Sequence, residues 1–172
     1  FLDREEMKTL LESLEIDLEQ IEEEQQDNGG YEKNGYEELS GYTGEGTELV
    51  LPSSIEDTVM SGVASLAFKD NTKITSVEVP EGMRYIDVSA FEGCTGLKKI
   101  TLPDSLTWIG GYAFSGCTSL ETVVFGNQGV EIAGSAFRDC VALRDVELPA
   151  SENYLWDSAF CGAGAGGYIH IG

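Results

Sequence analysis

The residues able to do chemistry are few, and several recur at one fixed distance. Cys94, Cys117 and Cys140 stand 23 residues apart. Thiols repeated in this way could form a metal ladder or disulfides if successive copies lie side by side. Two observations weigh against that use. No C-x-x-C occurs and His170 is the only histidine. Each of the three thiols also sits beside Phe and Leu positions, where a free cysteine packs as a small hydrophobe. No metal site and no cofactor is expected. Cys161 lies off this series, in the slot held elsewhere by Glu92, Ser115 and Arg138. It is expected to be exposed and to be the thiol that reacts.

Catalytic constellations are missing. The sequence has no G-x-S-x-G, H-E-x-x-H or phosphate loop, the short motifs that would announce a hydrolase or a nucleotide site. The Gly-rich run from Gly162 to Gly167 lacks the strand–turn–helix context of a dinucleotide fingerprint. Paired carboxylates could in principle hydrolyse glycosides, but here they read more simply as a solvated face. No catalytic residue is expected, and a hydrolase is the most remote alternative. Acidic loops without the 12-residue calcium-loop spacing offer no defined calcium site.

What positions these residues is an internal repeat. Ala90-Phe91, Ala113-Phe114, Ala136-Phe137 and Ala159-Phe160 share the 23-residue period, as do Val77, Ile100, Val123 and Val146. Pro80, Pro103 and Pro149 follow it, with Gly126 in the remaining slot. The segments ITSVEV, LKKITL, LETVVF and LRDVEL place apolar residues at positions 1, 4 and 6, and an end such as V-x-V or I-x-L is a short strand with one buried face. Proline then stops the strand. A turn follows, then one apolar anchor (Ile86, Ile109, Ile132 or Leu155), then S/Y-A-F-x-x-C, whose small and large residues suit a tight helical turn. Stacking such units would place successive strands about 4.8 Å apart in one parallel sheet. No unit can bury its apolar side alone, so the array must fold as a stack.

The pattern L-x-x-I-x-L-P-x-x-L-x-x-I-G-x-x-A-F-x-x-C-x-x-L, carried almost position by position by residues 97–120, resembles the BspA-type leucine-rich repeat family. The likeness covers about residues 36 to 172. It implies a right-handed solenoid on secreted or surface proteins of bacteria and some protists, assigned to adhesion or to binding host or matrix proteins. It brings no catalytic residues. The expected fold class is therefore α/β: a leucine-rich-repeat solenoid with short parallel strands and short helical turns, preceded by an N-terminal α-helix and a capping β-hairpin. Residues 1–30 form an acidic amphipathic helix and linker. Residues 31–172 form the solenoid, with the cap hairpin at 36–52 and 23-residue rungs from 74.

Composition narrows the partners. The 172 residues carry a formal net charge of −21, which disfavours nucleic acid and anionic membranes. Residues 1–48 hold a net −13 of this. No run of 18 apolar residues occurs, so no membrane insertion is expected. The first residue is Phe, which suggests a trimmed or mature fragment, and an extracellular or cell-surface location follows from the resemblance alone.

Along the chain, Met7, Leu11, Leu14, Leu18 and Ile21 form a heptad seam. Its flanks are mostly acidic and would repel in a parallel homodimer, so a monomer is favoured. Docking on the first rung, or linkage to something upstream, is the alternative use. Residues 27–35 read as a polar linker, and YEELSGY, TGEGT and ELVLP read as the cap hairpin. Rung one holds five extra residues within IEDTVMSG, read either as a local looped turn or as a bulge on a binding face. Asn71 takes the cysteine slot, where its side chain can bond the turn backbone. Ile169 falls in register with Val146, which gives a sixth strand.

Two surfaces are candidate binding sites. Outward strand positions are Ser76 and Glu78, Lys99 and Thr101, Thr122 and Val124, Asp145 and Glu147, ending at His170; such a sheet is the usual binding face of a horseshoe solenoid. A second stripe, Tyr85, Trp108 and Tyr154, shares one slot after the proline, broken by Glu131, with Trp156 and Tyr112 close by. Rows of aromatics can stack on sugar rings or anchor a protein; they can equally pack over turns. The expected function is a non-enzymatic surface or secreted module that binds protein or a host glycoconjugate. A structural spacer that displays another domain is the alternative.

Overall fold

The structure, a computed structural model, describes residues 29–144 and 146–164 together with the backbone of 169–171. The chain opens with β1 (Tyr31–Lys33), β2 (Glu38–Tyr42) and β3 (Glu48–Val50). A small insertion carries β4 (Ser54–Ile55) and β5 (Thr58–Val59) and leads into β6 (Gly62–Val63). The repeats then contribute β7 (Ser76–Glu78), β8 (Tyr85–Ile86), β9 (Lys99–Thr101), β10 (Trp108–Ile109), β11 (Thr122–Val124) and β12 (Glu131–Ile132). The last strands are β13 (Val146–Leu148), β14 (Tyr154–Leu155) and β15 (Ile169–Ile171).

Each rung thus supplies two strands rather than one. The three-residue strands pair in parallel in the order β11-β9-β7-β3, with Leu49, Val77, Ile100 and Val123 side by side. The two-residue strands form a second sheet, β1-β2-β6-β8-β10-β12-β14, built on the apolar anchors Val63, Ile86, Ile109, Ile132 and Leu155. The sequence shows these anchors only as single apolar positions. A strand two residues long has no room to display alternation, so the second sheet escapes a pattern search.

The expected helical turns are not formed, and among the described residues all regular structure is β. Backbone conformation gives the reason. In rung two Ser89 and Gly93 take positive φ (55° and 72°), and the same slots do so at Tyr112 and Gly116 and at Ser135 and Asp139. A left-handed residue at every fourth position breaks an α-helix before it can propagate. The N–H groups of S-A-F-x-x-C divide instead between two kinds of partner. Ala90, Glu92 and Cys94 donate to the carbonyl three residues back, while Ser89, Phe91 and Gly93 donate to Gly111, Ala113 and Ser115 of the next rung. This third side of the solenoid is a stack of turns that saturates its own backbone. The expected helix over residues 2–26 lies outside the described residues.

The cap also differs from expectation. β2 and β3 belong to different sheets, so residues 36–52 make no hairpin; the hairpin is β1–β2, with Tyr31 opposite Tyr42. Its turn is held by Asn34, whose Oδ1 accepts the N–H groups of Tyr36 and Glu38, with Glu37 at positive φ. The residues read as polar linker are thus partly strand. The five extra residues of rung one form the antiparallel pair β4–β5, which turns through Glu56 and Asp57, both at positive φ as a type I′ turn requires. Ile55 and Met60 anchor this looped turn in the core.

The core is columns of like residues. Phe68, Phe91, Phe114, Phe137 and Phe160 stack with ring centroids 4.7–5.3 Å apart and nearly parallel planes. Tyr42 and Tyr31 continue the column into the cap hairpin. Beside it run the free thiols Cys94, Cys117 and Cys140, all buried. Each donates its S–H to the carbonyl of the phenylalanine one rung earlier, at 3.1 Å. In rung one Asn71 Oδ1 instead accepts the N–H groups of Lys73 and Ile74, which closes the turn as the sequence suggests. Cys161 is exposed.

The first sheet is interrupted. β13 pairs with β15, Val146 opposite Ile169, and among the described residues shows no ladder pairing with β11. The parallel row expected to run from Val77 through Val146 therefore parts after Val123.

Candidate binding surfaces on the two sheets

On the β3-β7-β9-β11 sheet, buried Leu49, Val77, Ile100 and Val123 force their neighbours outward, because side chains alternate along a strand. Register then sets two rows: Glu48, Ser76, Lys99 and Thr122; and Val50, Glu78, Thr101 and Val124. Glu78, Lys99, Thr122, Val124 and Glu147 are exposed and Thr101 is half-buried; Asp145 lies outside the described residues, as does the side chain of His170. A shallow groove of about 320 Å³ runs over Glu48, Val50, Ser76, Glu78, Lys99 and Thr101. Where β11 parts from β13, a second groove of about 450 Å³ opens between Thr122–Asn127 and Glu147–Ala150. Val50 and Val124 are 64% and 40% exposed on this face. Lys99 has no ion-pair partner among the described residues, whereas Lys33, Lys69 and Lys73 bridge to Glu56, Glu92 and Glu45.

The aromatic stripe sits on the other sheet. Tyr85, Trp108, Glu131 and Tyr154 are directly opposed on β8, β10, β12 and β14. The slot one rung earlier is Gly62, and the Tyr85 ring lies over it in space that a Cβ would fill. Its hydroxyl donates to Glu38 Oε1 at 2.9 Å and meets Ser61 Oγ at 3.2 Å. Burial, more than the bond to Glu38, raises its pKa, and the Ser61 hydroxyl opposes the rise. Tyr85 thus folds back as a structural clasp and leaves the stripe.

The other members come together. Trp156 occupies the slot held by Asp87, Gly110 and Ala133, where a large side chain must bend back over the sheet. Its Nε1–H donates to Glu131 Oε1 at 2.8 Å, and its ring stands edge-on to Trp108, centroids 6.1 Å apart. Tyr154 and Trp156 are 62% and 55% exposed. The sequence puts Trp156 near the stripe; it does not show that Glu131, seen as an interruption, is the group that orients it. Among the described residues no three His, Cys, Asp or Glu side chains could hold a metal ion. Among the same residues no helix is long and apolar enough to cross a membrane.

The model of the BspA type leucine rich repeat region matches residues 48–169 in six copies. The chain belongs to that family. A leucine-rich-repeat protein from T. pallidum, known in crystal form, is similar to this BspA-type chain. The two are 34% identical with a TM-score of 0.66, over 76% of this chain and 63% of that one. A leucine rich cell surface protein from Faecalibacterium prausnitzii shares the fold at 22% identity and a TM-score of 0.54, over 78% of this chain and 45% of that one. The chain thus spans about half to two thirds of these relatives. No curated protein matches it.

Proposed function

We propose that this BspA-type solenoid is a non-catalytic binding module, at a cell surface or outside the cell, that holds an extended segment of a partner protein along the β3-β7-β9-β11 face. The observation that carries this reading is the groove itself. Exposed Val50 lies in it beside Lys99, which has no ion-pair partner among the described residues, flanked by Glu48 and Glu78, and exposed Val124 continues the Val50 row on β11. The backbone beneath is already paired in the sheet, so contact is left to side chains, as in other solenoid faces. Family membership and the cell-surface description of the F. prausnitzii protein support the location.

The test is a screen of extracellular-matrix proteins by surface plasmon resonance, repeated with Lys99→Glu combined with Val124→Asp. Both side chains are exposed, so the pair should move stability by no more than about 1 kcal/mol while it abolishes binding. Binding that survives the double variant would place the contact elsewhere, and a silent screen favours the spacer.

A further inference from the structure

We propose that Trp108, Glu131, Tyr154 and Trp156 form a second, separate site, one for a neutral oligosaccharide whose rings carry mainly equatorial substituents. It goes beyond the protein-binding reading and uses the other sheet. Trp108, Glu131 and Tyr154 are aligned on three successive strands, an alternation of ring, carboxylate and ring. At about 4.8 Å per strand the two strands that carry the flanking rings stand about 9.6 Å apart, roughly the reach of a disaccharide in an extended chain. Pyranoses with equatorial hydroxyls present axial C–H bonds on both faces, which pack against aromatic rings, while their hydroxyls lie at the rim.

The site is held in advance. Glu131 Oε1 fixes the Trp156 indole, and the edge-on contact with Trp108 fixes the angle between the rings. A ligand therefore meets ordered side chains and little entropy is lost on binding. Among the described residues, Glu131 Oε2 and the Tyr154 hydroxyl make no hydrogen bond, so both are free to meet sugar hydroxyls. Exposure of this degree in a cluster of large rings is itself informative. Charge selects among occupants. A net charge of −21 and a central carboxylate repel uronic and sialic acids and a second copy of this chain. A protein anchor is held in a desolvated pocket, whereas Tyr154 and Trp156 are each more than half exposed.

The chain has two tryptophans, and both lie in this cluster. Fluorescence excited at the red edge of indole absorption, where the seven tyrosines do not absorb, therefore reports on the site alone. Titration with cellotetraose, xylotetraose and chitotetraose should give a saturable change in emission for at least one, with a dissociation constant of about 1 mM or tighter. Tyr154→Ala and Glu131→Gln should each weaken it about tenfold, while the Lys99→Glu, Val124→Asp pair leaves it unchanged. Trp156→Phe, which keeps a ring at that position, checks the effect in a protein whose melting temperature is preserved. The proposal is overturned if none of the three sugars alters the emission, if binding is indifferent to Tyr154→Ala, or if only a protein partner perturbs the tryptophans. None of these outcomes bears on the groove of the first sheet.

Discussion

At the scale of single residues, the cysteines separate cleanly by environment. Burial pushes the Cys140 thiol from its ordinary 9.0 up to about 12. Cys117 is raised too, first by its hydrogen bond with Cys94 and then by burial. A thiol held protonated is a poor nucleophile. In the folded protein, a maleimide reagent at pH 7.5 should therefore modify Cys161 rapidly and the three ladder thiols only on unfolding, as mass spectrometry would count. Rapid modification of two or more sites contradicts the packing assigned to the ladder. The same groups set an alkaline limit. The folded pKa values of Cys117 and Cys140 lie above the unfolded ones, so their neutral forms contribute stability that is complete below pH 9 and declines as pH rises through the folded values. Tyr31, raised to about 12 chiefly by burial and then by Tyr42, adds to this in the cap. The urea midpoint should be level from neutral pH to about 9 and fall steadily toward 12.

At the scale of elements, the phenylalanine column carries the stack. Phe114 is fully buried between Phe91 and Phe137, so Phe114→Ala should cost about 3–5 kcal/mol by denaturant unfolding. Much of this level was legible. The V-x-V strands, the cysteine and phenylalanine columns and the aromatic slot all follow from equal spacing, because a repeat turns sequence distance directly into spatial neighbourhood. Besides the second sheet, three features were not legible, each for a physical reason. The Ala-Phe-x-x-Cys spacing imitates a helical turn, and only the left-handed backbone at Ser89 and Gly93 separates the two. The cap pairs β2 with β1 rather than β3, since Glu48–Val50 prefers the ladder offered by Ser76–Glu78. The parting of β11 from β13 has no signature in residues that keep the period. At the candidate sites, the slots were legible and the contacts were not. Tyr85 leaves its row because Gly62 one rung away admits its ring, and Glu131 proves to be a partner of Trp156 rather than a gap.

At the scale of the molecule, charge works against compactness. With 31 acidic and 10 basic side chains, the folded chain repels itself, and salt shortens the reach of that repulsion from about 30 Å at 0.01 M to about 8 Å at 0.15 M. The melting temperature should rise by several degrees over that range; a fall would mean that the ion pairs Lys69–Glu92 and Lys73–Glu45 outweigh the bulk field. Neighbouring rungs are also sewn together by bonds that skip one full circuit: Glu81 accepts the Asp104 N–H, and Asp104 accepts the Asn127 N–H. Chain length is therefore quantised. Excising residues 97–119 joins Gly96 to Leu120, which recreates the Gly96–Leu97 junction in the same slot, and should yield a shorter protein with a cooperative melt. Removing one residue more or fewer shifts every later side chain out of its column, and circular dichroism should show a chain that no longer closes on itself.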